Sequence, residues 1–169
     1  MRALVKELRL EQPTYLRCGN STGVLREVSR QVNALRERKH QKNLWLIVVI
    51  DADNNGQEGR LKELGREGRV RELEALVKTA TADGARGAAE RISFVVPAYA
   101  IETWYVHLCC PEARPVDETR DYKATLEWRH LEKDLGAAAR RAAQAWRSEP
   151  QRADPDSLKA AHTEIERVR

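Results

Sequence analysis

Leu44 to Asp53, LWLIVVIDAD, is an almost unbroken apolar run that ends in two aspartates two residues apart, and it leaves the chain few ways to fold around it. A short run of this kind reads as a strand covered on both faces, as parallel strands are in α/β proteins. Side chains alternate along a strand, so Asp51 and Asp53 emerge on one side of the pleat at its carboxyl end. Open α/β sheets bind their ligands at that end. Two carboxylates aimed at one spot point to a Mg2+ site.

The rest of the composition fits a single core. At 169 residues the chain is long enough to bury about two thirds of its unfolded surface. Hydrophobic residues make up 41% and charged residues 33%. No apolar run approaches the ~20 residues that cross a bilayer, so neither a membrane span nor a signal peptide is expected. Lys and Arg total 30 against 26 Asp and Glu. This mild, Arg-dominated excess permits contact with nucleic acid or nucleotides through bidentate phosphate grips, and a solvated helical surface explains it equally well. Cys18, Cys109 and Cys110 form no C-x-x-C pair, which fits a reducing, cytoplasmic compartment. His107 beside Cys109 and Cys110 lacks a second ligand cluster at zinc spacing, and the cysteines read as small buried hydrophobes.

Along the chain, Arg2 to Leu10 has helical apolar spacing, Pro13 to Cys18 reads as a short strand, and Gly19-Asn20-Ser21-Thr22-Gly23 is a turn that caps the next helix. Val24, Leu25, Val28, Val32 and Leu35 mark that helix to about His40. After the aspartate strand comes the polar loop Asn54 to Gly59. A helical region from Arg60 to Ala80 follows, weakened at Gly65 and Gly68. Arg91 to Val96 forms the third strand, closed by Pro97, and Ala98 to Cys110 the next helix. Pro111 to Asp121 is a loop, and Tyr122 to Arg147 and Ser157 to Val168 read as two Ala-, Arg- and Glu-rich helices. Strands separated by helical crossovers imply a parallel sheet. The expected organisation is an α/β domain over 1–112 with a C-terminal helical extension over 113–169 packed on it.

Mg2+ takes oxygen ligands in octahedral geometry, which Asp51 and Asp53 are spaced to supply. Asp-x-Asp alone is unspecific, and Asp53-Asn54-Asn55-Gly56 is also good turn sequence. Glu102, just beyond the third strand, is a further acidic residue near the same edge. The four histidines, His40, His107, His130 and His162, show no paired ligand spacing. Gly19 to Gly23 lacks a Walker lysine and reads as a cap. Trp104, Trp128 and Trp146 read as packing residues. Arg140, Arg141 and Arg147 form a basic helix patch that either meets a nucleic-acid backbone or is simply solvated.

The combination of LIVVIDADNN and, about forty residues later, FVVPAYAIETWYVHL resembles the TOPRIM-type domains of the OLD (overcoming lysogenization defect) nucleases and their small bacterial relatives. The resemblance covers roughly Val24 to Leu108, and Ile101-Glu102-Thr103-Trp104 is its more specific part. It implies a TOPRIM-like Rossmannoid parallel sheet flanked by helices, with Asp51, Asp53 and Glu102 as catalytic and metal-binding residues for Mg2+ or Mn2+. It also implies cleavage of DNA or RNA phosphodiesters, in bacterial defence against phage. TOPRIM domains open with a strand carrying glutamate and glycine, and Arg2 to Leu10 corresponds to the helix after that strand. Either the chain start is truncated or the domain is degenerate. An uncovered sheet edge would call for a homodimer or a partner protein. A noncatalytic nucleic-acid-binding or oligomerising module and a small metal-dependent phosphohydrolase remain alternative readings.

Overall fold

Asn20 starts the first described helix by the chemistry expected of a cap. Its backbone is extended, and its side-chain oxygen accepts from Gly23 N–H at 2.9 Å, satisfying one of the free donors of the first turn. Gly23 has no alternative there, because a Cβ at this position would lie 1.9 Å from the Cys18 carbonyl oxygen. The structure is a computed structural model and describes residues 16, 18, 20–38, 44–52, 65–80, 84–87, 90–147 and 154–168. Among them the elements run α1 (Ser21–Glu37), β1 (Leu46–Val49), α2 (Gly65–Ala80), β2 (Ile92–Val95), α3 (Ile101–Cys109), a 3-10 turn (Pro111–Ala113), α4 (Leu126–Glu132), α5 (Leu135–Trp146) and α6 (Asp156–Glu166). The class is therefore mixed α/β, with six helices and a two-stranded parallel sheet among the described residues. The expected helix over 1–10, nearly all of the expected strand over 13–18 and the loop over 54–59 lie outside them.

These residues form two compact units, one taking Cys18 to Val96 and Ala160 to Val168, the other Leu16 and Pro97 to Lys159. In the first, Leu46 pairs with Ile92, Val48 with Phe94 and Val49 with Val95, in parallel. The ladder runs on at both ends through Leu46 N–H to Arg91 O and Ile50 N–H to Val95 O. Val48, Ile50 and Ala52 from one strand and Ile92, Phe94 and Val96 from the other share a face, packed on Val28 and Val32 of α1 and Leu73 and Val77 of α2. Each large apolar side chain buried there contributes about 1.5–3 kcal/mol. The opposite face of β2 is closed by the end of α6, where Ser93 Oγ donates to Glu164 O and Phe94 N–H to Glu164 Oε2 at 3.0 Å. β2 is thus buried along its whole length.

Two arginines with buried side chains tie this unit together. Arg36, 7% exposed, grips the Glu90 carboxylate at 2.6 and 3.0 Å and donates to Val77 O and Gly84 O. Arg86 reaches Glu74, Ile92 O and Glu164 while its guanidinium lies 4.2 Å from the centroid of the Phe94 ring.

In the second unit, Tyr105, Val106 and Cys110 of the α3 region share a core with Tyr122, Leu131, Ala138, Ala139 and Ala142. Small alanines on α5 allow close helix approach. Trp104 stacks obliquely on Trp146 at 5.8 Å and Tyr105 meets the edge of Trp128 at 6.0 Å. The single helix expected over 122–147 is instead two. Asp134 leaves helical geometry, with φ −140° and ψ 77°, and its carboxylate accepts from Ala137 N–H at 2.8 Å. An aspartate that can cap a new helix competes with continuing the old one. Among the described residues no helix is long and apolar enough to cross a membrane.

Candidate functional site

Asp51 sits two residues past the end of β1. The alternation of the strand continues through it: Val48, Ile50 and Ala52 are buried at 5%, 4% and 4% exposure, whereas Ile47, Val49 and Asp51 are half-buried. Asp51 therefore belongs to the face opposite the α1–α2 core, at the carboxyl end of a parallel strand, as its position in the apolar run dictates. Asp53 lies outside the described residues.

Glu102 occupies the first turn of α3, behind Ala100, whose side chain supplies no cap. A carboxylate there complements the helix dipole. Its Oε2 is buried and has no hydrogen-bond partner among the described residues. A buried carboxylate oxygen without a donor is costly unless a cation or ordered water meets it. Glu102 also bears on Tyr105, whose phenol is pushed above its usual pKa by burial first, then by Cys109 and by the Glu102 charge.

Compared with family models, with curated proteins and with solved structures, the chain matches none. The residues themselves must therefore carry the functional reading. Asp51 belongs to the strand-bearing unit and Glu102 to the helical unit. Among the described residues no group of three His, Cys, Asp or Glu side chains is placed to hold a metal ion. Each carboxylate taken by itself, half-buried Asp51 at a strand end and the Glu102 Oε2 that has no partner among the described residues, offers the hard oxygen that Mg2+ prefers.

The interior of α3 holds polar groups that no spacing in the sequence connects. Trp104 Nε1 donates to Ser157 Oγ at 2.8 Å, and Ser157 Oγ donates to Glu118 Oε1 while Ser157 N–H reaches Glu118 Oε2 at 3.3 Å. His107, fully buried, places Nε2 2.8 Å from Asp154 Oδ1, and its backbone oxygen accepts from Arg114 Nε. A carboxylate only accepts, so the proton of a neutral imidazole sits on Nε2. Nδ1 is then left as an acceptor with no partner among the described residues, as is Thr103 Oγ1 one turn earlier. With His107 fully buried, the His107–Asp154 pair anchors the segment before α6. Glu118 and Asp154 are 39 and 47 residues from their partners. The only signal in the sequence is Asp154-Pro155 ahead of an apolar-periodic stretch, which marks a helix start and not a partner.

Proposed function

We propose that the chain is a TOPRIM-like protein that cleaves nucleic-acid phosphodiester bonds with the help of Mg2+ or Mn2+, acting in bacterial defence against phage or mobile DNA. The observation that carries this reading is Asp51 at the carboxyl end of a parallel strand, on the half-buried face opposite the one packed on α1 and α2. Support comes also from Glu102, whose buried Oε2 has no donor partner among the described residues, and from the Ile101-Glu102-Thr103-Trp104 sequence itself. In this reading Asp51, Asp53 and Glu102 hold the cation. Mg2+ in such a site supplies a nucleophilic water at neutral pH and stabilises the leaving oxygen of a phosphodiester. The chain's own residues contribute the ligands and their orientation. Asp51 is fixed by the paired backbone of Ile50, and Glu102 by the first turn of α3, which Trp104 anchors through Ser157. DNA or RNA is the substrate, and a second copy of the chain or another protein covers any free sheet edge.

The test is incubation with plasmid DNA, with RNA and with a generic phosphate ester, in Mg2+ and in Mn2+. Cleavage of a nucleic acid that is lost in Asp51→Asn and in Glu102→Gln supports the reading. Turnover of the simple ester alone replaces it with a phosphohydrolase, and nucleic-acid binding with no cleavage in either metal replaces it with a noncatalytic module.

A further inference from the structure

Two groups of arginines in this chain contrast with one another. Arg36, Arg69 and Arg86 are buried and ion-paired with Glu90, Glu72, and Glu74 and Glu164. Their charge is consumed inside the fold. Arg140, Arg141 and Arg147 are exposed on one helix and its C-cap, α5, together with exposed Gln144. Neither Arg140 nor Arg141 is ion-paired among the described residues. From Leu135 to Trp146 the helix carries no acidic residue at all.

Spacing makes this one surface. Positions 140, 144 and 147 follow one another at helical i, i+4, i+7 intervals, with 141 beside them, so the guanidinium groups line a stripe about 10 Å long at 1.5 Å per residue. The other side of α5 is committed to the core, with Ala138, Ala139, Ala142, Ala143 and Trp146 all buried. That commitment decides what the stripe can bind. An amphipathic helix that docks on an anionic membrane must insert its apolar face, and here that face is already occupied. A row of planar, bidentate donors with an amide among them instead suits a chain of phosphates.

We infer that the exposed face of α5, Arg140, Arg141, Gln144 and Arg147, is a docking surface for the phosphodiester backbone of a nucleic acid. The stripe meets phosphates without reading bases, so it binds without sequence preference. It shares no residue with the acidic set and does not depend on those carboxylates cutting anything.

The experiment is fluorescence anisotropy of the full chain with a short labelled DNA duplex across a salt series in EDTA, so that binding is read without catalysis. Wild type is compared with Arg140→Gln/Arg141→Gln/Arg147→Gln and with Arg26→Gln/Arg71→Gln/Lys78→Gln, which removes the same charge from exposed positions on α1 and α2. Thermal melts confirm that both variants fold. The α5 variant is expected to bind about ten- to a hundredfold more weakly, with a salt slope shallower by about 3, one for each phosphate no longer neutralised, while the control binds within about twofold of wild type. Equal losses in the two variants would show a nonspecific net-charge effect and overturn the inference, as would an α5 variant indistinguishable from wild type. Sedimentation with phosphatidylserine vesicles under salt conditions at which the duplex stays unbound would overturn it in favour of a membrane surface.

Discussion

Replacing Arg86 with methionine tests the packing of the strand-bearing unit most severely. The Arg86 side chain is 6% exposed and meets two carboxylates, Glu164 with its side chain 17% exposed and Glu74 with its side chain 37% exposed. It also donates to Ile92 O at 3.0 Å and lies over Phe94. Removing one partner of a buried pair costs about 3–5 kcal/mol, because a charge is left behind in a poorly solvated place. Glu164 would keep Phe94 N–H at 3.0 Å and Arg167 at 3.5 Å, which moves the cost toward the lower limit. The Glu74 pair is exposed enough to add only about 0.5 kcal/mol, and the ring contact about 1 kcal/mol. The expected total is about 4 kcal/mol, a large part of the ~5–15 kcal/mol that holds a typical domain. Urea unfolding followed by circular dichroism reads it as a lowered midpoint at unchanged slope. Adding Glu164→Gln to Arg86→Met should recover part of the loss, since the stranded charge is then gone. A loss under about 1 kcal/mol for Arg86→Met, or a double variant whose cost is the full sum of the two singles, would refute the clamp.

Glu90 gives a pH dependence. The hydrogen bond from Arg36 holds its carboxyl below the usual glutamate range, with the Gly87 N–H adding to the effect against the opposing influence of burial. A depressed folded value means the stabilisation is complete above the unfolded value and is lost as pH falls through the folded one. Stability should therefore decline below about pH 4.3, and Glu90→Gln should flatten that decline; a variant with the wild-type acid profile would contradict the pairing. Burial raises the thiols of Cys109 and Cys110 above their usual range, so near neutral pH iodoacetamide should label them well below the rate of a free thiol until the chain is unfolded, and labelling at the free rate, read by mass spectrometry, would argue against their packing. Gly23→Ala should destabilise by about 1–3 kcal/mol, because its Cβ would meet the Cys18 carbonyl; an unchanged urea midpoint would show that α1 starts differently.

The elements that are legible in the sequence are those whose signal is local. LIVV and ISFV are apolar on both sides and rich in β-branched residues, and a helix-length segment between them forces parallel pairing. Asn20 and the Val24, Leu25, Val28, Val32 spacing give α1 within a few residues of its observed ends. The break at Asp134 escapes a reading by periodicity because Ala, Arg and Glu favour helix on both sides of it. The cue is Asp134 followed by Leu135-Gly136, where a cap and a weak helix former meet. Periodicity marks the apolar face of α3 but does not name its partner, which is the alanine face of α5. Buried charge is the least legible of all. Arg36 and Glu90 are 54 residues apart and Arg86 and Glu164 are 78, and alone each reads as a surface residue. For the candidate site, the strand-end position of Asp51 follows from the apolar run, whereas the Oε2 of Glu102, buried and without a partner among the described residues, is a property of its setting that no spacing reveals.

The metal reading turns on whether Asp51 and Glu102 bind a divalent cation. Thermal unfolding of the full chain with rising Mg2+ or Mn2+ measures it directly. A cation held by the native state at about a hundredfold excess over its Kd stabilises by about 2.7 kcal/mol, or about 5–10 °C in Tm for a chain of this size. Wild type is expected to shift by that amount, with the shift lost in both Asp51→Asn and Glu102→Gln. A wild-type chain that does not shift, or variants that shift as much as wild type, would contradict the acidic site.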